Sequence, residues 1–94
     1  MEILPQPLQF EWDEGNNAKN WLKHQVTNGE CEEVFFDPHK RLLEEKLHSG
    51  EESRYILLGR TQAGRTLFIV FTLRQKKIRV ISARDTNKKE RGLL

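Results

Sequence analysis

Three runs decide the fold: Arg54-Tyr-Ile-Leu-Leu-Gly-Arg60, Thr66-Leu-Phe-Ile-Val-Phe-Thr-Leu-Arg74 and Ile78-Arg-Val-Ile-Ser-Ala-Arg84. Each is rich in β-branched, aromatic and aliphatic residues and ends at turn-forming polar residues. Thr61-Gln62-Ala63-Gly64 and Gln75-Lys76-Lys77 separate them, so the spacing predicts a three-stranded meander. Both faces of the strands are apolar. Leu67, Ile69, Phe71 and Leu73 point one way, Phe68 and Val70 the other. Helices cover one face, and the second face needs partial cover from something else, such as a partner.

Charge divides the chain at the same place. Residues 53–94 carry eleven Lys/Arg against Asp85 and Glu90, a net of +9. Residues 1–52 carry five Lys/Arg against twelve Asp/Glu, a net of −7, so the overall +2 conceals a dipole. Arg54, Arg74, Arg79 and Arg84 lie in or at the ends of the strands. A strand arginine fits best where it meets an anion, so the ribbon suits phosphate or an acidic protein.

Toward the N-terminus, Leu8-Gln9-Phe10-Glu11-Trp12 alternates apolar and polar and predicts a short strand, the fourth of the sheet. Asp13 is a suitable cap for a helix over 14–24 with Ala18, Trp21 and Leu22 as its apolar stripe. Thr27 and Glu30 form a capping-box pattern for a second helix, which presents Cys31, Val34 and Phe35 and stops at Asp37-Pro38. Residues 37–52 read as a long loop in which Leu42, Leu43 and Leu47 make at most a helical turn. Asp85-Thr86 caps a short basic helix over 87–93. The expected class is α+β in a single domain over 1–94: a largely antiparallel sheet of about four strands, two N-terminal helices on one face, and a short C-terminal helix.

With 94 residues, 36% hydrophobic and 32% charged, the chain has a small core and is not a disordered tail. One cysteine, Cys31, excludes an internal disulfide and a Cys-rich zinc site. Three scattered histidines lack metal-ligand spacing, so no metal or cofactor is expected. No apolar run approaches membrane-span length, and a cytoplasmic protein without a membrane partner is expected.

The landmarks Phe10-x-Trp12-Asp13, Lys23-His24, Glu52-x-Arg54 with Gly59, Arg74, Ile78-Arg-Val-Ile-Ser-Ala-Arg84 and Glu90-Arg91 occur in order from residue 10 to 91. As an ordered set they resemble the BrnT toxin family of bacterial type II toxin–antitoxin systems. The resemblance implies a RelE-like fold, metal-independent RNA cleavage that arrests translation, and neutralisation by a BrnA-type antitoxin. It implies contact with DNA only through the antitoxin complex. The chain departs from the family pattern at Gln25, where a glycine usually follows Lys-His, and over 40–48, which is longer and more charged.

Metal-free RNA cleavage needs a base, cations for the phosphorane and an acid for the leaving oxygen. Arg54, Arg74 and Arg84 are the candidates for the cationic role, and Glu52, Lys23 and His24 for acid and base. Arg79, Lys76, Lys77, Lys88 and Lys89 are candidate RNA contacts. Strict alternation puts Arg79 and Arg84 on opposite sheet faces. Plainer readings stand beside these. Strand-edge arginines pair with surface carboxylates, and a protonated His24 suits a helix C-terminus. Glu52 balances Arg54, Trp12 and Trp21 pack, and Lys88, Lys89 and Arg91 form a solvated tail. Two non-enzymatic alternatives remain: a degenerate toxin that only binds a DNA-binding partner, and a basic adaptor for structured RNA.

Overall fold

The computed structural model describes residues 4–44 and 53–94. The order is α1 (Lys19–His24), α2 (Asn28–Phe35), β1 (Arg41–Glu44), β2 (Tyr55–Arg60), β3 (Thr66–Arg74), β4 (Lys77–Asp85) and α3 (Lys88–Arg91). The four strands form one antiparallel sheet in the order β1-β2-β3-β4. The class is α+β, as the sequence predicts.

The sheet has a core face and an open face. Leu42, Leu57, Ile69 and Ala83 stand in one cross-strand row on the core face. Phe35 of α2 packs edge-on against Phe71 at 5.1 Å between ring centres and against Phe10 at 5.3 Å. Helix α2 approaches β2 so closely that a Cβ on Gly59 would sit 2.8 Å from Val34 Cγ1. The predicted capping box is present: Glu30 N–H donates to Thr27 Oγ1 (3.0 Å) and Thr27 N–H to Glu30 Oε1 (2.9 Å). Cys31, Val34 and Phe35 are buried beneath it. Burial pushes the Cys31 thiol up to about 12, so it acts as a small core residue.

The fourth strand is not the one expected. Residues 8–12 make only a single parallel bridge, Phe10 to Ile78, fixed by Glu11 N–H to Ile78 O (2.8 Å) and Ile78 N–H to Gln9 O (2.7 Å). The strand comes instead from Arg41–Glu44, inside the expected loop, paired with residues 55–58 of β2. Leu42 faces the core while Arg41 and Leu43 face outward, an alternation that four residues state too briefly to stand out. The expected turn at Leu47 lies outside the described residues.

The first helix is also corrected. It starts at Lys19 rather than Glu14, because residues 14–18 form turns and Ala18 is left-handed at φ 65°. The expected stripe faces water: Trp21 is 51% exposed and Leu22 83%. What α1 and the preceding turn bury is amide. Asn16 Nδ2 donates to Val80 O (3.1 Å), Lys19 Nζ to Ile81 O (3.3 Å), and Ala83 N–H to Asn20 Oδ1 (2.9 Å). Strand β4 is an edge strand, and these side chains satisfy the backbone groups that no fifth strand pairs. Helix α1 ends on Gln25 at φ 56°, ψ 40°, the left-handed conformation that glycine adopts without strain.

At the C-terminus α3 is capped by Asn87, not Asp85-Thr86, with Glu90 N–H donating to Asn87 Oδ1 at 2.8 Å. The C-terminal turn partly covers the open face. Arg41 Nη1 donates to Leu93 O (3.2 Å), and Leu58, which lies on that face, is 1% exposed.

Candidate active site

The strand register builds the open face in rows. Arg41, Leu58, Phe68 and Arg84 are cross-strand neighbours, and so are Leu43, Ile56, Val70 and Ser82. One row further, Thr72 stands opposite Arg79, and continuing the β2–β3 register past Tyr55 brings Arg54 opposite Thr72. Arg74 is two residues beyond Thr72 on the same face, opposite Lys77.

A β-bulge makes this possible. Val70 pairs with Ser82 but Phe71 pairs with Val80, leaving Ile81 as an extra residue in β4. Phe68 and Thr72 share a face of β3, so their partners Arg84 and Arg79 share it too. The expectation that Arg79 and Arg84 lie on opposite faces fails because one inserted residue resets the alternation.

Arg54, Arg74 and Arg79 line one cavity of about 210 Å³, with Lys19 and Thr72 beside them. Thr72 is buried and its hydroxyl donates to Ser53 O at 2.7 Å, which ties the start of β2 to β3 under the cavity. Arg79 is held from the N-terminal segment. Its Nη1 donates to Glu11 Oε1 (2.9 Å) and Asp13 Oδ2 (2.8 Å), and its Nη2 to Asp13 Oδ1 (2.9 Å). The Arg79 hydrogen bonds hold the Asp13 carboxyl below the usual carboxylate range, helped by the Gly15 N–H and against the small effect of burial. Asp13 therefore clamps an arginine instead of capping a helix.

Arg84 is not in this group. It lies opposite Phe68, four β3 residues from Thr72, the partner of Arg79: roughly 13 Å at ~3.3 Å per residue. Its guanidinium lies 4.1 Å over the Phe68 ring and forks onto Glu90 at 2.9 and 2.8 Å. That fork holds the Glu90 carboxyl below its ordinary range. Lys23 and His24 are exposed on the last turn of α1 and do not line the cavity. Glu52 lies outside the described residues. Lys76 and Lys77 sit at the exposed β3–β4 turn beside Arg74, and Lys88 and Lys89 are exposed on α3.

Two features escaped the sequence reading. One is Lys19, whose place beside the cavity depends on where α1 begins. The other is Arg65, which binds Asp85 at 2.7 and 3.1 Å, Glu30 at 3.2 Å, and the carbonyls of Gln25 and His24 at 2.9 and 3.1 Å. This clamp joins β3, β4, the end of α1 and the start of α2. Its only sequence signal was an arginine next to a turn. A larger groove of about 410 Å³, lined by Glu32, Glu33, Phe36, Asp37 and Arg60, carries predominantly acidic groups and would repel phosphate.

Chemically, the 210 Å³ cavity is lined by guanidiniums from just before β2, from the end of β3 and from β4, together with the Lys19 ammonium. Groups of this kind have the chemistry to bind a phosphate and stabilise extra charge on it. A family model described as the ribonuclease toxin BrnT of type II toxin–antitoxin systems matches residues 12–90. No curated protein matches the chain.

Proposed function

We infer, because the chain belongs to the BrnT family of ribonuclease toxins of type II toxin–antitoxin systems, that the cavity at the bulge of β4 is where it cuts RNA. A toxin of this type has RNA as its target and an antitoxin as its partner. The observation that supports the site is the convergence of Arg54, Arg74, Arg79 and Lys19 on one hollow. In this reading Arg54 and Arg74 grip the non-bridging oxygens of the scissile phosphate, and their charge stabilises the phosphorane without a metal ion. Arg79 reaches the same phosphate from its clamp on Asp13 and Glu11. Lys76, Lys77, Lys88, Lys89 and Arg84 contact the RNA backbone outside the hollow, and Lys23 and His24 serve the flank near α1.

We propose a RelE-like mode of action. Cleavage arrests translation in the cytoplasm, a BrnA-type antitoxin neutralises the chain, and only that complex touches DNA. Expression without the antitoxin, followed by the rate of amino-acid incorporation, tests this. Incorporation should stop with the wild type and continue with Arg54→Ala at equal protein level.

One observation favours the second reading, a non-catalytic binding module. Arg79 already makes three hydrogen bonds to two carboxylates, so a phosphate must share it. A wild-type chain that leaves growth and incorporation unchanged, yet binds its antitoxin tightly, would favour that module.

A further inference from the structure

The arginines of the cavity supply charge but no protons, because a guanidinium is too weak an acid to serve as a proton donor. RNA cleavage needs more. When the P–O5′ bond breaks, the leaving oxygen must be protonated. The other polar groups nearby are committed. The Thr72 hydroxyl donates to Ser53 O, the Asn16 amide donates to Glu11 O and Val80 O, and Asp13 accepts from Arg79 and Gly15.

Among the described residues lining the cavity, Lys19 is the one whose side chain can give up a proton and take it back. It is half-buried at the first position of α1, and its Nζ donates to the carbonyl of Ile81, the bulge residue, at 3.3 Å. An ammonium has three N–H donors, so this bond fixes the head and leaves two for a substrate. The bulge that brings Arg79 onto the open face thus also offers the carbonyl that anchors Lys19. Lys23 and His24, one turn further along the same helix, do not line the cavity.

We propose that Lys19 is the general acid of RNA cleavage at this site; the proposal rests on the ribonuclease reading above. The 2′-oxygen bonds to phosphorus and its proton passes to water. The P–O5′ bond breaks, its electron pair stays on O5′, and O5′ takes a proton from Lys19 Nζ. A 2′,3′-cyclic phosphate and a free 5′-hydroxyl result, and the amine recovers its proton from water.

The test compares two RNA oligonucleotides that share one cleavable linkage, with oxygen or sulfur as the 5′-bridging atom, in excess EDTA and with the full chain freed of antitoxin. A thiolate leaves without being protonated. Lys19→Ala should cut the oxygen substrate about 10²–10³-fold more slowly than the wild type and the sulfur substrate within a few-fold of it. Arg54→Ala should be slow on both. Lys19→Arg keeps the charge and a donor for the Ile81 carbonyl but cannot transfer a proton, so it should match Lys19→Ala even if the alanine variant loses stability. Equal impairment of Lys19→Ala on both substrates, or full activity of Lys19→Arg on the oxygen substrate, overturns the acid role and leaves the ribonuclease reading standing. A folded wild type that cuts neither substrate overturns both.

Discussion

The two ends of β4 carry the same residue type in different settings. At one end Arg79 joins Arg54, Arg74 and Lys19 around a hollow. At the other, Arg84 lies on Phe68 with both Nη atoms on Glu90, and Arg65 is consumed by Asp85 and Glu30. In the sequence both ends read as basic ribbon. The structure separates a hollow with room for a ligand, where Arg79 is itself paired with Glu11 and Asp13, from ion pairs at the far end that join α2 and α3 to the strands. A run of arginines therefore points to a candidate site only where the fold leaves room for a ligand beside it.

The largest expected effect breaks the comparison at the hollow. Arg54→Ala and Arg74→Ala should each lower RNA cleavage by about 10²–10³-fold with the melting curve little changed. Arg84→Ala should stay within a few-fold, because its distance from the hollow is too great for the same phosphate. Cleavage assays on the three purified variants, with circular dichroism as the folding control, give the contrast. Equal losses at both ends would erase it.

The next effect is on stability and belongs to the far end. Arg65→Met removes donors from two carboxylates and two carbonyls at once and should cost about 1–3 kcal/mol in urea unfolding. Acid sharpens this. Hydrogen bonds from Arg65 hold Asp85 below the ordinary carboxylate range, and those from Arg84 do the same for Glu90. A carboxyl depressed only in the folded chain binds fewer protons there than in the unfolded chain. Its contribution is thus complete above about pH 4–4.5, the unfolded values, and is lost as pH falls through the lowered folded ones. The urea midpoint of the wild type should drop below pH 4, and Arg65→Met should show a shallower drop. Parallel pH curves would mean that Arg65 does not hold Asp85 in solution.

The smallest effect has the opposite sign. Gln25 is left-handed at φ 56°, and Arg65 binds its carbonyl. Gln25→Gly should raise stability by about 0.5–1 kcal/mol and leave cleavage alone. A loss of stability would show that the Gln25 side chain outweighs its backbone strain.

The meander and the second helix were legible because each rests on local chemistry: β-branched and aromatic runs between turns, and Thr27 with Glu30 at capping spacing. The fourth strand was not, because Arg41–Glu44 owes its place to pairing with residues 55–58, a non-local fact. Trp21 and Leu22 misled the reading of α1. Its buried side is Asn20, set by the unpaired edge of β4, and no hydrophobic pattern reports that need. The basic character of the site was visible in the charge count. Its composition was not, since the extra residue Ile81 decides which face Arg79 takes.

One measurement bears most directly on the hollow as the cleavage site. A 5′-labelled RNA is incubated in excess EDTA with antitoxin-free wild type and, separately, with the Arg54→Ala/Arg74→Ala double variant. The assignment requires fragments ending in 2′,3′-cyclic phosphate from the wild type and intact RNA from a folded double variant. Intact RNA from folded wild type, or equal cleavage by both, would contradict it.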